Sequence, residues 1–146
     1  MECLADTNVL VRTVDLLHPH HPIALNAFER ILRAGGHIYI AAQNLVEFWS
    51  VCTRPISRNG LGLSAKETER AMSPLERVLL LLPDVPAVFP EWRRLVTVHA
   101  VVGFDVFDAR LAAVMRVDGI RDLLTFNAAD FARYPGINIV DPAAVR

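Results

Sequence analysis

Short, nearly unbroken apolar runs alternate along this chain with stretches in which apolar residues return every three or four positions. The first pattern reads as buried strand and the second as amphipathic helix. Their alternation points to an α/β domain with a central, mostly parallel sheet flanked by helices. Glu2 to Ala5 reads as the first strand, and Asp6-Thr7-Asn8 then opens a helix to about Val14. Pro22 to Ala34 is a second helix with Ile23, Ala27, Ile31 and Leu32 near one face, ended by Gly35-Gly36. His37 to Ala41 is a second strand. Gln43 to Thr53 is a third helix, stopped by Pro55, and Ser57 to Leu63 is a loop. Ser64 with Glu67 forms a capping box for the next helix. Pro74 is expected to break that segment into two. Val85 to Phe89 reads as a short extended strand, Glu91 to Ala100 as a helix, and Asp105 to Val117 as the last long helix, closed by Gly119. Asp122 to Phe126 is a strand, Asn127 to Phe131 a short helical turn, and Ile137 to Val140 the final strand.

The length of 146 residues fits a single domain, 1–146, with no repeat or linker, and 53% hydrophobic content builds a full core. A net charge of -1 with 21% charged residues argues against a general polyanion binder. A local basic rim remains compatible with it. Lys66 is the only lysine among the cations, the rest being arginine. A biased composition accounts for this as well as phosphate recognition does. Cys3 and Cys52 sit in apolar surroundings and read as reduced core residues, neither a disulfide framework nor a zinc set. The N-terminus lacks signal-peptide character, and the longest apolar run, Val78 to Leu82, is too short for a bilayer. The expectation is a soluble, cytoplasmic protein without a membrane role.

Four acids stand out against this apolar background. Asp6 follows a strand and precedes a helix, the place where parallel sheets bind ligands. Helix capping explains an aspartate there equally well, but Thr7 and Asn8 beside it are suited to hold its carboxylate and a metal-bound water. Glu47 lies in an apolar helix beside the Leu45, Phe48, Trp49 and Cys52 stripe, on a line with Asn44 and Val51. It is either a surface residue on a narrow polar strip or a buried, paired acid. Asp105 and Asp108 share the first turn of the last long helix. Asp105 fits the N-cap, whereas Asp108 aligns with Leu111, Ala112 and Met115 on a buried face and is the better functional candidate. Asp130 follows a strand in Thr125-Phe126-Asn127-Ala128-Ala129-Asp130, where a solvated turn is the alternative.

Packed together, such carboxylates repel one another at low dielectric and call for cations. All-oxygen donors favour Mg²⁺ or Mn²⁺. Arg12, Arg54, Arg58, Arg93 and Arg110 are candidates for gripping phosphates, with ordinary solvated arginine as the alternative for each. The His18-Pro19-His20-His21-Pro22 stretch reads as a solvated turn, and His37 and His99 have no partner nearby in the sequence. Phe48 and Trp49 read as core, and Trp92 is a candidate for a dimer face.

The set Ala5-Asp6-Thr7-Asn8-Val9-Leu10, Asn44-Leu45-Val46-Glu47-Phe48, Phe107-Asp108-Ala109-Arg110-Leu111-Ala112-Ala113 and Leu123-Leu124-Thr125-Phe126-Asn127 with Asp130-Phe131 resembles the ordered motifs of the PIN domain. It is most similar to the VapC toxins of bacterial toxin–antitoxin pairs, over nearly the whole chain. No single motif is specific; the ordered set is. The resemblance implies a PIN-like three-layer sandwich, Mg²⁺-dependent endoribonuclease activity, a homodimer and inhibition by a small cognate antitoxin. It assigns the acids to Asp6, Glu47, Asp108 and Asp130, with Asp130 at the family's most variable position and Asp105 at one the family does not fix. Thr125 and Asn127 resemble the polar residues beside the fourth acid. An aspartyl-phosphate phosphatase needs a second acid where Asn8 stands and a lysine near the phosphate, and a receiver domain fails on the same lysine. A metal-binding acidic pocket without catalysis and a protein-interaction domain remain as other readings.

Overall fold

The computed structural model describes residues 1–146. Strands β1 (Glu2–Ala5), β2 (His37–Ala41), β3 (Leu80–Leu82), β4 (Asp122–Leu124) and β5 (Asn138–Val140) form one all-parallel sheet in the order β3-β2-β1-β4-β5. The helices are α1 (Thr7–Val14), α2 (His21–Arg33), α3 (Ala42–Thr53), α4 (Ala65–Val78), α5 (Val88–Val98), α6 (Asp105–Asp118) and α7 (Ala128–Phe131). None is long and apolar enough to cross a membrane.

Alternation along the strands sends side chains to two separate cores. Cys3, Ala5, Ile38, Ile40 and Leu124 pack with Val9, Leu10, Phe28, Ile31, Phe48 and Leu75 from α1 to α4. Leu4, Ala41, Leu82 and Leu123 pack with Val88, Leu95, Leu111, Met115 and Phe131 from α5, α6 and α7. The result is a three-layer sandwich whose sheet is covered on both faces, which is why its strands read as apolar runs. Cys3 and Cys52 are unpaired and fully buried in the first core, where burial pushes their thiols up to about 12 and about 11. Such thiols are inert. Between α2 and β2, Gly35 takes φ +74, and Gly36 passes so close to Met1 that a Cβ would lie 2.5 Å from its carbonyl oxygen.

The chain steps outward from β1 through β2 to β3, then returns to β4 on the other side of β1. Strand order therefore reverses at β1, and the crevice between the carboxyl ends of β1 and β4 is the switch point where open α/β sheets take ligands. Ala5 pairs in register with Leu124. The next residues on these strands are Asp6 and Thr125.

Three expectations need correction. Pro74 does not divide its segment: α4 runs unbroken from Ala65 to Val78. The Ser64–Glu67 capping box nucleates it, Thr68 and Leu75 anchor its inner face, and Pro74 and Arg70 face solvent, so the carbonyl left without a donor is open to water. The third strand is Leu80–Leu82, not Val85–Phe89, and α5 already begins at Val88. A three-leucine strand directly after a helix has no alternation to separate it from the helical apolar run. Finally, β4 stops at Leu124, so Thr125 and Phe126 turn out of the sheet.

Because Pro74 is solvent-facing, Pro74→Ala restores a helical hydrogen bond without disturbing packing. A gain of about 1–2 kcal/mol in urea unfolding is expected, the interior-proline penalty less the added freedom of the unfolded chain. A loss of stability would show that Pro74 fixes a conformation the helix needs.

Candidate active site

Asp6 occupies the N-cap position of α1 with extended backbone (φ -70, ψ 152), yet its side chain makes no capping hydrogen bond. It is turned instead across the switch point. Its Oδ2 accepts from Asn8 Nδ2 at 2.7 Å and from Thr125 Oγ1 at 2.7 Å. Thr125, only 1% exposed, is saturated, since its oxygen also accepts from Asn8 Nδ2 (3.0 Å) and from the Asn127 backbone N–H (3.0 Å). Asn8 Oδ1 accepts from the Phe126 N–H at 3.2 Å, which ties the loop after β4 to the start of α1. The aspartate is thus buried and held by Asn8 on α1 and by Thr125 just past β4, which capping does not explain.

Glu47 reaches the same crevice from α3. Thr7 Oγ1 donates to its Oε2 (2.8 Å) and Gln43 Nε2 to its Oε1 (2.6 Å). Behind Thr7, the fully buried Asn44 donates from Nδ2 to Thr7 Oγ1 (3.1 Å), while its Oδ1 accepts from the Ala41 N–H (2.8 Å). Glu47 is therefore a paired acid, not a strip residue. The division of labour differs from the expectation for Asp6: Asn8 holds Asp6, whereas the Thr7 hydroxyl serves Glu47. Gln43, which the sequence reading passed over, also donates to the Phe107 carbonyl (2.8 Å) and links α3 to α6. Its one signal was its place one helical turn before Glu47.

Asp108 enters from the first turn of α6. Burial pushes its carboxyl up to about 7, reinforced by the charges of Asp6, Asp130, Glu47 and Asp105. Asp6 is pushed up to about 6, again mainly by burial, with Glu47 and Asp130 adding and the Thr125 and Thr7 hydrogen bonds opposing. Asp130 stands exposed on α7, and its charge reaches both Asp6 and Asp108. Asp105 is not the N-cap of α6; Phe104 holds that position, and Asp105 is the first helical residue, paired with Arg133 at 3.0 Å. It stands at the edge of the cluster.

The donors to Asp6 and Glu47 are all neutral. No ion pair in the molecule involves Asp6, Glu47, Asp108 or Asp130. Negative charge is thus oriented but not neutralised, and an all-oxygen set of this kind fits a hard divalent cation. The acids do not close into a finished cage: no three acidic, histidine or cysteine side chains form a ready-made ligand set.

The arginines divide. Arg12 is paired with Asp15 at 2.6 Å in the last turn of α1, and Arg110 donates to Gln43 Oε1 (3.2 Å) and Asp84 Oδ1 (2.9 Å) beside Glu47. Arg54 and Arg58, flanking the 3-10 turn Ile56–Arg58, and Arg93 on α5 are engaged by no acid. The histidine stretch forms a turn leading into α2, as expected, with its rings half-buried and not fully solvated. His20 stacks on Phe126 with centroids 4.3 Å apart, His18 Nδ1 accepts from the His20 N–H (3.1 Å), and His21 Nδ1 meets the Arg12 carbonyl (2.8 Å). His99 and His37 pack against Tyr134 and Tyr39. Trp92 is half-buried and donates to the Val106 carbonyl (2.9 Å), fastening α5 to α6.

Residues 3–137 match the sequence model of the PIN domain. None of the curated proteins matches the chain. Solved structures are similar over almost the whole chain. VapBC2 from Rickettsia felis, bound to a DNA fragment from its promoter, has a TM-score of 0.71 at 15% identity, covering 96% of this chain and 98% of that one. DNA-bound VapBC from Salmonella typhimurium gives 0.71 at 19%, covering 97% and 98%. VapC20 of Mycobacterium tuberculosis, described as a sarcin–ricin loop cleaving toxin, gives 0.66 at 18%, covering 89% and 93%. At these identities the likeness is one of fold.

An acid pushed up in the folded chain favours folding while protonated. For Asp108 that contribution is intact below its ordinary value of 3.8 and is lost as pH rises through about 7. In chelator, Asp108→Asn should match the parent near pH 4 and exceed it at pH 8 by about 1–2 kcal/mol, discounted for partial exposure. Denaturant melts at both pH values check this, and a variant less stable at pH 8 would remove the repulsion argument.

Proposed function

The chain belongs to the PIN domain family, and on that footing we propose that it is a metal-dependent endoribonuclease, the toxin of a VapBC-type toxin–antitoxin pair. One observation supports this reading above the others: Asp6 and Glu47 are held at the sheet's switch point by neutral donors alone, within reach of the charges of Asp108 and Asp130. Asp6 and Asp108 hold Mg²⁺ or Mn²⁺, with Glu47 and Asp130 as further donors, directly or through water. When bound, the cation supplies an acidified water and polarises the scissile phosphate.

The protein's own groups do the rest. Asn8 and Thr125 both donate to Oδ2 of Asp6 and so fix the orientation of the carboxylate that would hold the cation. Thr7 and Gln43 place one donor on each oxygen of Glu47 and so fix its carboxyl group where it would orient the attacking water and accept its proton. Water, and not the ribose 2′-hydroxyl, is the nucleophile, so the products carry a 5′-phosphate and a 3′-hydroxyl. Arg54 and Arg58 grip phosphates of the RNA. An aspartyl-phosphate route is disfavoured because Asn8 is committed to Asp6 and cannot protonate a leaving group.

RNA as substrate draws support from the description of VapC20, and a small antitoxin as partner from the VapBC complexes. A homodimer and a cytoplasmic site of action follow from the same reading.

Labelled RNA with Mg²⁺ should be cut and the cutting abolished by chelator. Asp6→Asn and Asp108→Asn should each lower the rate by more than about 100-fold, beyond the usual effect of an outer-shell change, with Thr125→Val near 10-fold. Full turnover by both aspartate variants, or a 2′,3′-cyclic phosphate product, would refute the mechanism.

A further inference from the structure

Beside Glu47 lies a cavity of about 310 Å³ lined by Gln43, Val46, Glu47, Asp84, Phe107 and Arg110. It opens directly onto the acid cluster, because Glu47 belongs to both. Phe107 immediately precedes Asp108 and is 50% exposed, and the 89% exposed Phe104 lies offset beside it, ring centroids 6.4 Å apart at 28°. A protein seldom presents large aromatic faces to water at the mouth of a polar site without something to lay on them. The far wall is polar. Arg110 Nη2 donates to Asp84 Oδ1 at 2.9 Å in a pair half open to solvent, and neither Arg110 Nε nor Asp84 Oδ2 has a protein partner. The pair therefore shows a free donor and a free acceptor side by side, next to a flat apolar face.

We infer that this cavity is a base subsite, in which an unpaired guanine flanking the scissile phosphate stacks on Phe107 and is read by Arg110 and Asp84. Single-stranded RNA is recognised by stacking bases on aromatic rings and hydrogen-bonding their Watson–Crick edges. Guanine presents on that edge the O6 acceptor next to the N1–H and N2–H donors. Arg110 supplies a donor to O6, and the Asp84 carboxylate accepts from both N–H groups. Cytosine and adenine offer only one donor to the carboxylate, and uracil's N3–H lies between two acceptors. Arg110 thus reads a base through Nε–H, since its two terminal nitrogens already donate to Gln43 and Asp84. Gln43 couples the subsite to the chemistry, since its amide group touches Arg110, Glu47 and the Phe107 carbonyl at once. The subsite deepens the nuclease reading and, for its role in cleavage, rests on it.

Two arms test the inference. In the first, 5′-GMP and 5′-CMP are titrated into metal-free protein while the Phe107 ring and Arg110 Nε–H signals are followed by NMR. GMP should shift both saturably and bind at least about tenfold tighter than CMP. Phe107→Leu and Arg110→Lys should each weaken GMP by roughly 5- to 100-fold, the range of one lost base–aromatic stack, while leaving Mn²⁺ affinity in place. Equal responses to the two nucleotides, or none, overturn the subsite. In the second arm, random-sequence RNA is cut and the ends are sequenced. Guanine should be enriched at one position beside the cut, and both variants should lose that enrichment. Cleavage without a base bias also overturns the subsite and leaves the nuclease reading intact. Selective GMP binding with no RNA cleavage has the opposite meaning: the subsite stands and the nuclease reading falls.

Discussion

A concentration of like charge at one end of an apolar sheet governs this molecule. Both faces of the sheet are covered by helices, so polar chemistry has access only to the strand ends. At the carboxyl end, strand order reverses around β1, and α1, α3, α6 and α7 bring Asp6, Glu47, Asp108 and Asp130 toward one crevice. Burial, with their mutual repulsion added, raises Asp6 and Asp108 out of the ordinary carboxylate range. A fold that keeps such a centre must hold the acids in place without cancelling them.

The hydrogen bonds meet that requirement with neutral groups. Asn8 and Thr125 hold Asp6, and Thr7 and Gln43 hold Glu47, with the buried Asn44 fixing Thr7 from behind. Basic side chains near the cluster are occupied elsewhere: Arg12 with Asp15, Arg110 with Asp84, Arg133 with Asp105. An arginine turned inward would satisfy the carboxylates permanently and close the centre to a cation. The acid in each outer pair thus keeps its arginine from neutralising the inner set.

Much of this was legible in the chain. An acid directly after an apolar strand is a mark of the switch point, so Asp6 could be singled out from pattern, whereas Thr125 and Asn127 entered through the resemblance to the family. Glu47 and Asp108 were legible as polar residues interrupting apolar helix faces. The alternation of elements gave the sandwich, and the resemblance of the ordered motifs gave the family. What stayed hidden depends on distant partners. Nothing local marks Leu80–Leu82 as a strand, because its identity comes from pairing with β2. Pro74 is a helix breaker by type and tolerated by position, since it faces water. The Asp84–Arg110 pair, the reach of Gln43 to α6 and the stacking of His20 on Phe126 join residues that sequence proximity does not connect.

The Asp6–Thr125 hydrogen bond spans 119 residues, and the contacts of Asn8 with Thr125 and Phe126 span 117 and 118. Loop closure of that length comes late in folding. On the ribosome, β1 emerges first yet lacks its β4 neighbour until most of the polypeptide has been made, several seconds later at roughly 5–20 residues per second. The crevice is therefore unassembled through most of translation and forms only once β4 and the loop after it have been made.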